Sequence, residues 1–272
     1  MNIELSALVP PVHAIAQRAA QAILAVYRGA FTIEEKADHT PVTTADLAAH
    51  NVIVPALRAL TPQVPVLSEE SIHISCAERI AWNRLWLVDP LDGTREFIAR
   101  SDQFSINIAL IEDHAPIFGL IMIPVSGVTY FAWRGGGAWK HVPQSPPRRI
   151  ACQPLGDGPV RVIGSRTHTT HPLQTYLEHL GKHDYLGVGS ALKACLIAEG
   201  QADLYARFGP TSEWDTAASQ ILLEEAGGGL TDVALLPLRY NARPTLGNPD
   251  FFAFGDPRHD WTRYLPRRKP RV

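Results

Sequence analysis

Two short apolar runs that each end in paired carboxylates constrain this chain more than any other feature. Val64-Pro65-Val66-Leu67 leads into Ser68-Glu69-Glu70, and Leu85-Trp86-Leu87-Val88 leads into Asp89-Pro90-Leu91-Asp92-Gly93-Thr94. Runs of this kind read as strands. Two carboxylates ~4 Å apart at the mouth of a strand repel by roughly 4 kcal/mol at an effective dielectric of about 20. A cation removes that repulsion, and carboxylate and carbonyl oxygens suit Mg²⁺ far better than zinc. Gly93-Thr94 lets the backbone turn and offers bare N–H groups beside such an ion, a seat for a phosphate oxygen. Alone, Asp-x-x-Asp-Gly is more often a solvated turn. The second acidic strand favours the other meaning, a metal-dependent phosphatase site.

At 272 residues the chain can bury a large core, as one big domain or two packed halves. Its 46 % hydrophobic and 19 % charged residues are those of an ordinary globular protein. A formal net charge of −2 supplies no global attraction to a nucleic-acid polymer or a membrane, so a phosphate-rich ligand needs a local site. Cys76, Cys152 and Cys195 form no CxxC pair, which points away from a disulfide framework or a zinc centre and towards a reducing compartment. No secretory signal is visible and no apolar run approaches the ~20 residues of a membrane span, so a cytoplasmic location is expected. The basic stretch Arg267-Arg268-Lys269-Pro270-Arg271 reads as a solvated tail. At ~1 kcal/mol per cation it gives at most a transient, peripheral hold on the anionic face of an inner membrane. Nothing in the pattern specifies or excludes a homo-oligomer.

Along the chain, Val12, Ile15, Ala16, Ala19, Ile23 and Tyr27 recur at helical spacing, predicting a helix that stops near Gly29. A second helix follows residues 41–46. Residues 105–111, 117–122 and 128–133 are β-rich, so the first half, 1–150, reads as an antiparallel sheet flanked by helices and bearing the metal site. Residues 141–159 are Pro-rich and read as an irregular boundary. Beyond it, strands at 160–164, 185–188 and 202–205 alternate with helices at 172–180, 191–199 and 215–226. That alternation makes 151–272 an α/β half that completes the site.

Glu69-Glu70, Asp89-Pro90-Leu91-Asp92-Gly93-Thr94 and the distant Trp214-Asp215-Thr216-Ala217-Ala218 resemble, in order and spacing, the inositol monophosphatase superfamily. These are lithium-sensitive, magnesium-dependent phosphatases. The resemblance covers nearly the whole chain and implies a layered α-β-α-β-α sandwich of the inositol monophosphatase and fructose-1,6-bisphosphatase type. It implies that Glu69, Asp89 and the Leu91 carbonyl hold a first Mg²⁺ and that Asp89, Asp92 and Asp215 hold a second. Glu69 would also help to place a third, weaker ion and its water. A metal-activated water would be the nucleophile, oriented and deprotonated by Thr94 together with Asp46. Taken by itself, Thr43-Thr44-Ala45-Asp46 fits a capping box in which Asp46 merely satisfies an amide. The resemblance favours the catalytic role, and it leaves Glu70 behind the ligands as a supporting acid.

Gly187-Val188-Gly189-Ser190 ends a strand and opens a helix with Lys193 one turn in. Helix-start amides beside an ammonium make a ready anion site, although a plain cap with a surface lysine is common. Lys36-Ala37-Asp38, Thr94-Arg95-Glu96-Phe97, Ala198-Glu199-Gly200-Gln201-Ala202 and Phe208-Gly209-Pro210-Thr211 resemble the bacterial 3'(2'),5'-bisphosphate nucleotidases of sulfate assimilation. That implies removal of the 3'-phosphate of adenosine 3',5'-bisphosphate (PAP) to give AMP, with the phosphosulfate PAPS as a further substrate. Inositol-1-phosphate hydrolysis is the alternative. Gly93, Thr94 and Asp215 would touch the substrate, and Gly189, Ser190, Lys193 and Arg207 would hold the nucleotide and its 5'-phosphate away from the metals. Two departures stand out: Ala191 lacks an expected hydroxyl, and Glu213 replaces an uncharged residue. Residues 71–83 follow no pattern. His168 resembles a pocket-lining position, although a lone loop histidine is more often structural. Gly227-Gly228-Gly229 follows a helix, the wrong end for an anion, and reads as a helix stop.

Overall fold

The computed structural model describes residues 4–29, 33–35, 41–71, 74–165 and 170–266. Helix α1 (Val9–Tyr27) starts on two prolines, where missing N–H groups do no harm, and buries the predicted stripe. A small antiparallel hairpin, β1 (Ile33–Glu35) and β2 (Pro41–Thr43), precedes α2 (Thr44–Leu60). Then come β3 (Val66–Ser68), α3 (Cys76–Ile80), β4 (Arg84–Asp92), α4 (Thr94–Ile98), β5 (Ser105–Glu112), β6 (Ala115–Met122), β7 (Thr129–Trp133), β8 (Gly137–His141) and β9 (Arg148–Ile150). Strands β3 to β9 form one sheet in sequential order, antiparallel except that β3 runs parallel to β4. The expected all-antiparallel sheet is corrected at that pair. Because β3 and β4 run parallel, both acidic strand ends point the same way. The supposedly irregular stretch 141–159 contains β9, which the pattern concealed because only Ile150 of its three residues is buried.

The second sheet is built from β10 (Val160–Gly164), α5 (His171–Leu180), β11 (His183–Gly187), α6 (Leu192–Ala198), β12 (Leu204–Arg207), α7 (Glu213–Glu225), β13 (Gly229–Asp232) and β14 (Phe251–Phe254). Its order is β11-β10-β12-β14-β13. The alternation predicts strands β10, β11 and β12, with the bounds of β11 and β12 off by up to two residues, and the structure pairs the three in parallel. It does not reveal β13 and β14; β14 runs antiparallel to both of its neighbours, β12 and β13, and so alone opposes the rest of the sheet.

Three cores define the layers. One lies between α1–α2 and a face of the first sheet, with Ile23, Ile53, Trp86 and Phe118 fully buried. The second fills the space between the sheets around α6 and α7, joining Ile121 and Ala132 to Ile163 and Ala253. The third packs α5 and Trp261 on the outer face of the second sheet against Phe252. The chain is therefore the expected α-β-α-β-α sandwich. Among the described residues no helix is long and apolar enough to cross a membrane.

Candidate active site

The site begins with a fault in β4. In a regular strand, positions three apart face opposite ways. Asp89 pairs with Asn107 and Asp92 with Ser105, and the register shifts between them, at Pro90-Leu91, where proline has no N–H to donate. The shift turns both carboxylates to one side. Asp89 Oδ1 accepts the Leu91 N–H at 3.0 Å, and the Leu91 side chain is buried in the core beneath. Asp92 Oδ2 accepts from Asn107 Nδ2 at 3.3 Å and Ser105 Oγ at 3.4 Å. Asp215, in the first turn of α7, completes the group: one oxygen from each of Asp89, Asp92 and Asp215 lies within 4.8 Å of the others. Asp89 is buried and its two partners are half-buried.

Burial pushes all three carboxyls above the usual range. Glu69, Asp92, Asp215 and Asp46 raise Asp89 further, and Asp92 raises Asp215. Without a cation these acids resist ionising together. An oxygen-only donor set that is buried and self-repelling fits a hard divalent ion. Glu69, on the 3-10 turn Glu69–Ser71 after β3, acts on Asp89 more strongly than any other neighbouring charge but stands outside the three-oxygen group.

Asp46 caps α2 with one oxygen and meets Thr94 with the other. Oδ2 accepts the Thr43 N–H at 2.8 Å and the Thr43 Oγ1 hydroxyl at 2.7 Å, closing a capping box on α2. Oδ1 accepts from Thr94 Oγ1 at 3.3 Å. Asp215 is arranged alike, its Oδ2 taking the Ser212 N–H at 2.8 Å in a second capping box. In each case the cap fixes the carboxylate and leaves an oxygen aimed at the site.

Asp92, Gly93, Ser190, Lys193, Arg207 and Asp215 line one cleft between the two sheets. Gly93, at φ +95°, turns β4 into α4. Ser190 Oγ is buried without a hydrogen-bond partner. Lys193 is 9 % exposed, donates to Ser190 O at 2.7 Å, and sits 5.2 Å from the centre of the Tyr205 ring. Burial lowers its pKa, opposed first by Asp92. The sequence places this ammonium away from the metal carboxylates; in the structure it stands beside them. Arg207 belongs to β12 rather than following it, and Nη2 donates to Pro210 O at 2.9 Å while Nε is buried and unpartnered. Gly189 lies outside the lining, and its N–H already donates to Gln103 Oε1 at 2.9 Å. Ala191, the other departure, caps α6 within the cleft.

Sequence reasoning missed Asn107, Ser105, Gln103 and Tyr205. Asn107 carried a signal, since it is a polar residue fully buried in the otherwise apolar run 106–111. Helix α7 does stop at the glycines, with Gly227 at φ +92°. His168, Lys36-Ala37-Asp38 and the basic tail lie outside the described residues.

The inositol monophosphatase family pattern matches residues 5–252. The 3'(2'),5'-bisphosphate nucleotidase CysQ of Salmonella typhimurium is 47 % identical over 239 residues, covering 87 % of this chain and 95 % of that protein. CysQ of Bacteroides thetaiotaomicron superposes with a TM-score of 0.81 at 36 % identity, over 93 % of this chain and 99 % of its own. The inositol monophosphatase of Anabaena superposes with a TM-score of 0.73 at 25 % identity, over 96 % of this chain and 97 % of its own.

Proposed function

The chain belongs to the inositol monophosphatase family, and from that footing we propose that it is a divalent-metal-dependent 3'(2'),5'-bisphosphate nucleotidase. Its reaction is hydrolysis of PAP: water oxygen bonds to the 3'-phosphorus, the P–O3' bond breaks, O3' takes up a proton originating from water, and AMP and inorganic phosphate leave. The observation that carries this reading is one cleft lined both by the carboxylates Asp92 and Asp215 and by the cations Lys193 and Arg207. A substrate with one phosphate to cleave and another to anchor suits that combination of charges. The 47 % identity to a named bisphosphate nucleotidase supports the same substrate.

Asp89, Asp92 and Asp215, with Glu69 beside them, would hold two to three Mg²⁺ ions, which supply charge neutralisation and a lowered water pKa. Thr94 Oγ1, which donates to Asp46 Oδ1, would accept a proton from the attacking water as it passes its own to that oxygen. Asp46 is held for that task by its two bonds from Thr43. Lys193 and Arg207 bind and orient the 5'-phosphate, and the unpartnered Ser190 hydroxyl and Arg207 Nε are free to meet polar atoms of the nucleotide.

Phosphate release with Mg²⁺ tests the reading, using PAP, PAPS, 3'-AMP and inositol 1-phosphate side by side. Preference for PAP is expected. A kcat/KM for inositol 1-phosphate above that for PAP would replace the substrate assignment while leaving the metal chemistry in place.

A further inference from the structure

A buried polar network outside the cleft meets the first turn of α7. Glu213 has 0 % exposed surface, and Asn241 (0 %) and Arg79 (3 %) are buried with it. Glu213 Oε2 accepts the Asn241 N–H at 2.6 Å, and Oε1 lies 3.6 Å from Arg243 Nη2. Arg79, on α3, donates from Nη1 to Asn241 Oδ1 at 2.9 Å. Its Nη2 reaches the carbonyls of Arg243 and Pro244 at 2.9 and 2.6 Å, and Asn241 Nδ2 donates back to Arg79 O. The same segment returns to the cap of α7: the Glu213 N–H donates to Leu246 O at 2.8 Å, and Asn248 Nδ2 donates to Ser212 O at 2.6 Å.

These bonds join two parts of the site that the chain brings in separately. Helix α3 lies in the crossover between Glu69, at the end of β3, and β4, which carries Asp89 and Asp92. Glu213 lies two residues before Asp215. Burying a carboxylate and a guanidinium carries a desolvation penalty that apolar residues of similar size avoid, so such a network is weak evidence of a stability role. What it does fix is direction: both forks of Arg79 and Oε2 of Glu213 have defined hydrogen-bond partners, while Glu213 Oε1 faces the Arg243 guanidinium without a hydrogen bond.

We propose that Glu213, Arg79 and Asn241 are positioning residues that set the distance of Asp215 from Asp89 and Asp92, and so the affinity of the site for a divalent ion. This rests on the phosphatase reading only in taking the three aspartates as ligands. Titration calorimetry of the full chain with Mg²⁺ alone, without substrate and well below the melting temperature, tests it. Glu213→Ala leaves the Asn241 N–H unpaired and removes the carboxylate facing Arg243, and is expected to weaken Mg²⁺ binding roughly 10–100-fold, the range seen when the support behind a metal site is lost. Glu213→Gln keeps an oxygen for Asn241 and is expected to bind within a few-fold of wild type. Should Glu213→Ala not fold, Arg79→Lys, which loses the forked donors and keeps the charge, is expected to weaken binding in the same direction. Wild-type Mg²⁺ affinity in a folded Glu213→Ala or Arg79→Lys protein overturns the proposal. A wild-type protein that binds no divalent ion overturns the phosphatase reading beneath it instead.

Discussion

Replacing Asp46 by asparagine separates its two jobs, because the side chain then has one acceptor oxygen where the carboxylate has two. The Thr43 N–H and hydroxyl, at 2.8 and 2.7 Å, claim that oxygen, and the new amide nitrogen faces Thr94. Thr94 loses its acceptor and with it a route for its proton. Stability changes little. Two hydrogen bonds fall from charge-assisted to neutral strength, about 1 kcal/mol each, and the helix start loses a favourable charge, roughly 0.3–1 kcal/mol. Against this, Asp46 is one of the acids that raise Asp89, so its charge is part of the repulsion in the site. A net loss of about 1–2 kcal/mol is expected, lowering the melting temperature by roughly 2–8 °C. Turnover behaves differently: loss of proton transfer through a placed side chain lowers kcat about 10²–10⁴-fold, or about 2.7–5.4 kcal/mol at 1.36 kcal/mol per decade. Phosphate release from PAP at saturating Mg²⁺, with Mg²⁺ binding measured separately, gives the result. A folded Asp46→Asn protein with near-normal kcat refutes the proton route and leaves Asp46 as a helix cap.

Asp92→Asn is expected to abolish most activity and weaken Mg²⁺ binding in a protein that stays folded; calorimetry and thermal melts check this. The raised carboxyl pKa values of Asp89, Asp92 and Asp215 carry a definite sign. The metal-free native state binds more protons than the unfolded chain from about pH 4 up to the raised values, so its stability falls as pH rises through that window. Mg²⁺ should reverse the trend, and a metal-free stability that rises with pH there would contradict the burial of the cluster. Arg207→Gln, and separately Lys193→Gln, should raise KM for PAP about tenfold or more while changing KM for 3'-AMP little; equal losses on both substrates would show that neither cation reads the 5'-phosphate. Gly189→Ala would place a methyl carbon 2.5 Å from Glu96 Cγ and 2.8 Å from the Gln103 carbonyl oxygen, so a loss of roughly 1–3 kcal/mol is expected in urea denaturation, and an unchanged midpoint would show that the two loops yield there.

The first helix and the capping box at Thr43 could be read in the sequence because they depend on residues three or four positions apart, whose energetics are settled within a turn or two of chain. The acidic strand ends were legible for a similar reason: a strand delivers its last residue to its own mouth whatever it packs against. Short elements were not legible. Strands β9, β13 and β14 take their identity from partners elsewhere, and Phe251–Phe254 reads as any buried apolar run until β12 and β13 flank it. Three features were decided only by tertiary structure. The register shift at Pro90-Leu91 turns Asp89 and Asp92 to one side, yet it exists only because β5 pairs with both ends of it. Lys193 stands beside Asp92 because the two sheets close on one cleft, bringing together charges far apart in the chain. Glu213, an oddity in the sequence, becomes the buried partner of Asn241 and Arg243. Local pattern fixes which groups a segment offers, whereas the repulsion among buried charges, and hence their chemistry, depends on distances that exist only once the layers have packed.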